Sequence, residues 1–84
     1  MNDSPVIVYG AVWCAFCKQA EAYLTKIGVK YIEKDIDKDP DAAKEAVEKS
    51  GVSAVPVIDV NGTIILGFDK PKLDSALKAA KLVK

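Results

Sequence analysis

The sequence contains no histidine and no arginine. All its basic residues are lysines, and 12 Lys against 12 Asp and Glu leave no net charge. Without Arg there is no planar fork for bidentate phosphate or base recognition, and the balanced charge offers no electrostatic footprint for nucleic acid. With no His and only two Cys, the usual four-ligand zinc sets cannot come from one chain, so no metal site is expected. The two cysteines, Cys14 and Cys17, are too close together to staple distant parts of a fold, which excludes a small secreted disulfide scaffold. Long apolar runs are also missing. None approaches the ~20 residues that span a bilayer, and Met1 to Ser4 show no apolar h-region of a signal peptide. The expectation is no membrane association and a cytoplasmic location, where a close Cys pair reads as catalytic.

What is present is one domain over residues 1–84, half of it hydrophobic. Its small size and balanced surface suit a monomer. Val6-Ile7-Val8-Tyr9, between Pro5 and Gly10, reads as a strand buried on both faces. From Ala15 to Ile27 the period becomes helical: Phe16, Ala20, Tyr23, Leu24 and Ile27 form the apolar stripe, Lys18, Glu21, Thr25 and Lys26 take the other positions, and Gly28 follows as C′ residue. Val29 to Asp35 is a more polar strand with the charge pattern of an edge. Asp39 and Pro40 open a second helix as N-cap and N1, with Ala43, Ala46 and Val47 as a light apolar face ending at Ser50-Gly51. Val55 to Val60 and Thr63 to Leu66 are strands joined by Asn61-Gly62, a type I′ hairpin signal. A last helix runs from about Pro71 to Val83 on Leu73, Ala76, Leu77 and Ala80. The order βαβαββα predicts an α/β fold, one four-stranded mixed sheet with helices on both faces.

Trp13-Cys14-Ala15-Phe16-Cys17 falls where a buried strand has ended and a helix begins. There Cys14 lies at or near the N-cap, facing unpaired backbone N–H groups and the positive end of the helix dipole. Such sites favour thiolate over thiol. Cys14 is thus the expected exposed nucleophile. Cys17, one turn on and more interior, is the expected resolving thiol, which displaces a bound substrate and closes a Cys14–Cys17 disulfide. Trp13 divides between packing over the loop and touching a partner. Phe16 reads as cover near the site, and Tyr9 as core.

Tyr9 and Trp13-Cys14-Ala15-Phe16-Cys17-Lys18, then Ser50-Gly51-Val52-Ser53-Ala54-Val55-Pro56, then Gly67-Phe68-Asp69, resemble glutaredoxins over nearly the whole chain. The resemblance implies a thioredoxin-like fold and a cis Val55-Pro56 bond opposite the cysteines, with the Val55 backbone pairing to an extended substrate. It also implies that Gly67, Phe68 and Asp69, at the start of the last helix, hold the γ-glutamyl end of glutathione, with the Asp69 carboxylate on its ammonium group. Asp69 also reads as an N-cap. The expected substrates are disulfide-containing proteins or glutathione mixed disulfides, with no tightly bound cofactor and glutathione as reductant.

Several positions depart from the family pattern. Ala11 and Val52 stand where many glutaredoxins carry a basic or polar side chain for the glycine carboxylate of glutathione. A charge-assisted contact of that kind is worth roughly 1.5–3 kcal/mol. This loss makes recycling by a thioredoxin-reductase-type flavoenzyme an alternative. Ala54 replaces the usual Thr, Leu66-Gly67 the usual Gly-Gly, and Ala15 the usual Pro of dithiol members. Some family members with a small residue at that last position hold an iron–sulfur cluster between two subunits, which keeps a cluster-binding dimer as a second alternative.

Overall fold

Val6–Gly10 (β1) is the strand around which the molecule is built. The computed structural model describes residues 6–52 and 55–80; the expectations placed on Met1 to Pro5, Ser53, Ala54 and Val83 lie outside them. After β1 come Ala15–Lys26 (α1), Ile32–Asp35 (β2), Pro40–Ser50 (α2), Val57–Val60 (β3), Thr63–Leu66 (β4) and Lys70–Ala79 (α3). The strands form one four-stranded sheet in the order β2-β1-β3-β4. β1 pairs parallel to β2 and antiparallel to β3, and β3 pairs antiparallel to β4. The sheet is mixed, as the element order predicts.

Strand alternation divides the core in two. Val6 and Val8 of β1 and Ile58 and Val60 of β3 pack with Leu24 of α1 and with Leu73 and Leu77 of α3. On the opposite face, Tyr9 and Val57 pack with Ala42 and Ala46 of α2. Leu24, Leu73 and Leu77 are fully buried, and truncating any one to Ala costs roughly 2–5 kcal/mol, a large share of the ~5–15 kcal/mol that holds a domain folded. The α2 face also carries a polar network. The Tyr9 hydroxyl donates to Glu45 and accepts from Lys49 Nζ at 2.8 Å, while Lys49 reaches Asp59 Oδ2 at 2.6 Å and Lys34 reaches Glu45 Oε1 at 3.0 Å. Burial, and then the bond to Glu45, push the Tyr9 phenol above its ordinary range.

Local chemistry sets the boundaries. Gly28 sits at φ 79°, the Gly28 N–H bonds Thr25 O and the Val29 N–H bonds Leu24 O, a Schellman cap that consumes the backbone expected to begin β2. The strand therefore starts at Ile32, and Val29 is core instead. β3 starts at Val57 rather than Val55, because Pro56 has no N–H to give the ladder. Asp39 caps α2 through Asp41 and Ala42 N–H, and Asp69 caps α3 through Lys72 N–H; each cap is worth about 1 kcal/mol. The Asp69 cap moves the start of α3 to Lys70. Asn61 and Gly62 both take positive φ, as a type I′ turn demands.

Two helical stripes differ from expectation. α1 buries Cys17, Ala20, Glu21 and Leu24, so Glu21 belongs to the inner face, while Phe16 is 62% exposed. α2 buries Ala42 and Ala46. Val47 faces solvent, because the inner row one turn on is filled by Glu45 and Lys49 reaching over Tyr9.

Candidate active site

The C-terminal end of the central strand is where a mixed α/β sheet opens a crevice for ligands, and here it carries both cysteines. Beyond Gly10 the chain turns at Ala11, whose carbonyl accepts from Cys14 N–H at 3.1 Å. Cys14 is the N-cap of α1, with β-region backbone, and its Sγ accepts the Cys17 N–H at 3.2 Å. A sulfur in that place meets one of the orphan donors of the first helical turn. Both cysteines are free thiols.

The expected exposure of Cys14 needs correction. It is 6% exposed against 1% for Cys17, because Ala11, Cys17, Ile36 and Val55 pack around it. The difference between the thiols lies in environment. Burial, followed by hydrogen bonding to Cys14, pushes the Cys17 thiol up to about 12. Cys17 is therefore a protonated thiol at neutral pH, waiting against the partner sulfur.

The three motifs separated in sequence meet here in part. The Val55-Pro56 bond is cis, and Val55 packs on the cysteine cluster. Pro56 O accepts from Gly67 N–H at 2.9 Å, which ties the Gly67-Phe68-Asp69 segment to the same end of the sheet. Within that segment the side chains are already engaged. The Phe68 ring packs on Tyr23 with centroids 5.8 Å apart. Asp69 Oδ1 accepts from Lys72 N–H at 3.3 Å, and Lys72 Nζ lies 3.9 Å from Oδ2. Ala11 is buried and Val52 exposed, and neither offers a charge.

Around the thiols Val12, Trp13 and Phe16 are each more than half exposed, forming an apolar rim. The Trp13 indole Nε1–H donates to Asp37 Oδ2 at 2.5 Å. Asp37 is itself placed by its backbone N–H, which donates to Asp35 Oδ1 at 2.8 Å, an Asx turn at the end of β2.

Four residues around the site escape a reading of the sequence. Gly10 faces Cys17 so closely that a Cβ there would stand 2.8 Å from its Sγ. Asp37 and Ile36 come from the loop after β2. Glu21 is a buried carboxyl on the same stripe of α1 as Cys17. Only Glu21 has a sequence signal, its four-residue spacing from Cys17.

A thioredoxin-like sheet with a Cys-x-x-Cys pair at the start of the first helix defines a member of the thioredoxin superfamily. Comparison with known proteins narrows this. The Glutaredoxin family model matches residues 6–65. The chain is 33% identical to a glutaredoxin of Pseudomonas aeruginosa over 82 residues, covering 89% of this chain and 98% of the relative. It is 30% identical to an uncharacterized glutaredoxin-like protein in the rubredoxin operon of Clostridium pasteurianum, over 84% of this chain and 95% of that one. The crystal structure of a glutaredoxin from Archaeoglobus fulgidus superposes with a TM-score of 0.82 at 26% identity, covering 89% of this chain and 87% of that one. The chain belongs to the glutaredoxin family. That membership indicates thiol–disulfide oxidoreductase activity on disulfide or glutathione substrates.

Proposed function

We propose that the protein is a dithiol oxidoreductase that reduces disulfides of proteins or of glutathione adducts. Cys14 attacks the substrate disulfide, forming a mixed disulfide and expelling one thiolate. Cys17 then loses its proton and attacks Cys14 Sγ, releasing the second substrate thiolate and leaving the Cys14–Cys17 disulfide. The observation that carries this reading is the asymmetry of the pair. The Cys17 N–H points at Cys14 Sγ at the helix start, whereas the Cys17 thiol is buried and held protonated. One sulfur accepts a backbone N–H at the helix start and the other is kept for the second step. Substrate backbone pairs with Val55, and the apolar rim of Val12, Trp13 and Phe16 contacts the bound partner.

Glutathione is the proposed reductant, held by the backbone of Val55 and by the segment Gly67 to Asp69 at the start of α3. With no cation at Ala11 or Val52, its carboxylates are held mainly by backbone donors, and weak affinity follows. The test is to supply the oxidised protein, with NADPH, either glutathione and glutathione reductase or a thioredoxin reductase. Reduction of the Cys14–Cys17 bond in the glutathione arm is expected. Reduction by the flavoenzyme alone would overturn the choice of reductant, and a pair that neither system reduces would overturn the function.

A further inference from the structure

α1 turns one carboxyl into the protein. Glu21 is 8% exposed and stands four residues after Cys17, the spacing that stacks two side chains on one helix face. Its Oε2 is buried with no hydrogen-bond partner, an uncommon state for a polar atom in a native fold. β2 brings a second carboxyl to the same place. Its register sets Glu33 beside Val8, and Val8 belongs to the α1 face of the sheet, so Glu33 points towards the helix. The Glu33 carboxyl is among the neighbours that push the Glu21 carboxyl up, and the positive charge of Lys18 opposes it. β1 faces this region with Val6 and Val8. The titratable groups that α3 brings to α1 are Asp74, which accepts from Tyr23, and Lys70, whose Nζ lies 4.9 Å from the Tyr23 ring centroid. The catalytic sequence uses none of these groups.

We propose that Glu21 is a positioning residue for the resolving step: its negative charge, one turn below Cys17, opposes formation of the Cys17 thiolate, and its neutralisation releases that restraint. The inference rests on the dithiol reading given above. Burial, then the neighbouring Glu33 carboxyl, raise the Glu21 carboxyl to about 7, so its charge changes near neutral pH. Glu21 is also among the groups that push Cys17 up, after burial and the Cys14 hydrogen bond. As pH rises through neutrality, Glu21 ionises and damps the growth of Cys17 thiolate.

Reaction with 5,5′-dithiobis(2-nitrobenzoic acid) separates the two steps. Cys14 attacks the reagent, and one thionitrobenzoate leaves. Cys17 then loses its proton to solvent and bonds to Cys14 Sγ, and the S–S bond to the remaining aryl thiolate breaks, releasing a second thionitrobenzoate. Glu21→Gln should leave the first phase unchanged and speed the second at pH 8 by on the order of three- to tenfold, because a nearby negative charge disfavours the thiolate. The flattening of the pH profile that Glu21 ionisation imposes near neutrality should vanish in this variant. Glu33→Gln, which leaves Glu21 in place, should move that flattening to lower pH. A second phase that slows in Glu21→Gln, as the loss of a proton acceptor would give, or a pH profile identical to the parent, overturns the inference. A parent protein that gives a first phase and no second overturns the dithiol reading itself, a distinct result.

Discussion

Gly10 and Cys17 are packed without room for one further carbon. A Cβ on Gly10 would stand 2.8 Å from Cys17 Sγ and 3.0 Å from Cys17 Cβ. The end of the central strand is therefore the surface against which the resolving thiol rests. Gly10→Ala should force Cys17 and the first turn of α1 away from β1. The expected cost is about 1–3 kcal/mol of stability, as for other overpacked sites, together with slower closure of the Cys14–Cys17 disulfide. Urea unfolding and the rate of intramolecular oxidation measure the two effects. A variant with parental values for both would show that the strand does not constrain the thiol.

Trp13 and Asp37 form the second relationship at the rim. The indole is 66% exposed and is tethered through Nε1 to the Asp37 carboxylate. A solvent-accessible hydrogen bond of this kind contributes about 0.5–1.5 kcal/mol. Asp37→Ala should release the ring and raise KM for a protein disulfide by roughly two- to tenfold, with kcat little changed. Asp37→Asn retains an acceptor and should restore most of the loss. Trp13 is the single Trp, so its emission reports the tether directly. Equal KM values in parent and Asp37→Ala would contradict a positioning role.

Burial of Glu21 also makes stability depend on pH. Its folded-state value of about 7 lies above the ordinary 4.5, so the native state holds this proton more tightly than the unfolded chain. The resulting stability is fully present below the ordinary carboxyl range and is lost as pH rises through about 7. Between pH 5 and pH 8 the protein should lose on the order of 1–3 kcal/mol from this group. Glu21→Gln should lose less over the same interval. Denaturant midpoints at the two pH values provide the comparison, and parallel losses in both proteins would remove Glu21 as the cause.

Features governed by short-range chemistry were legible in the sequence. Asn61-Gly62 announced its hairpin, Asp39-Pro40 its helix start, and Gly28 its helix end, because each fixes backbone angles or hydrogen bonds within a few residues. The Cys pair was legible for the same reason. What escaped depends on contacts between distant residues. Charge argues for solvent at Glu21, yet the rotation of α1 on β1 brings it inside. Asp37 meets Trp13 across 24 positions, and Gly10 meets Cys17 only through the angle at which the helix leaves the strand. The burial of Cys14 has the same origin, since Ile36 and Val55 arrive from other parts of the chain.

The division of labour between Cys14 and Cys17 is tested most directly by trapping. Cys17→Ser is mixed with a glutathionylated or disulfide-bonded protein substrate, and the adduct is located by peptide mass spectrometry. The account predicts a stable mixed disulfide on Cys14, no turnover of protein disulfides, and no adduct when Cys14→Ser is used instead. An adduct on Cys17 in Cys14→Ser, or undiminished insulin reduction by that variant, would contradict it.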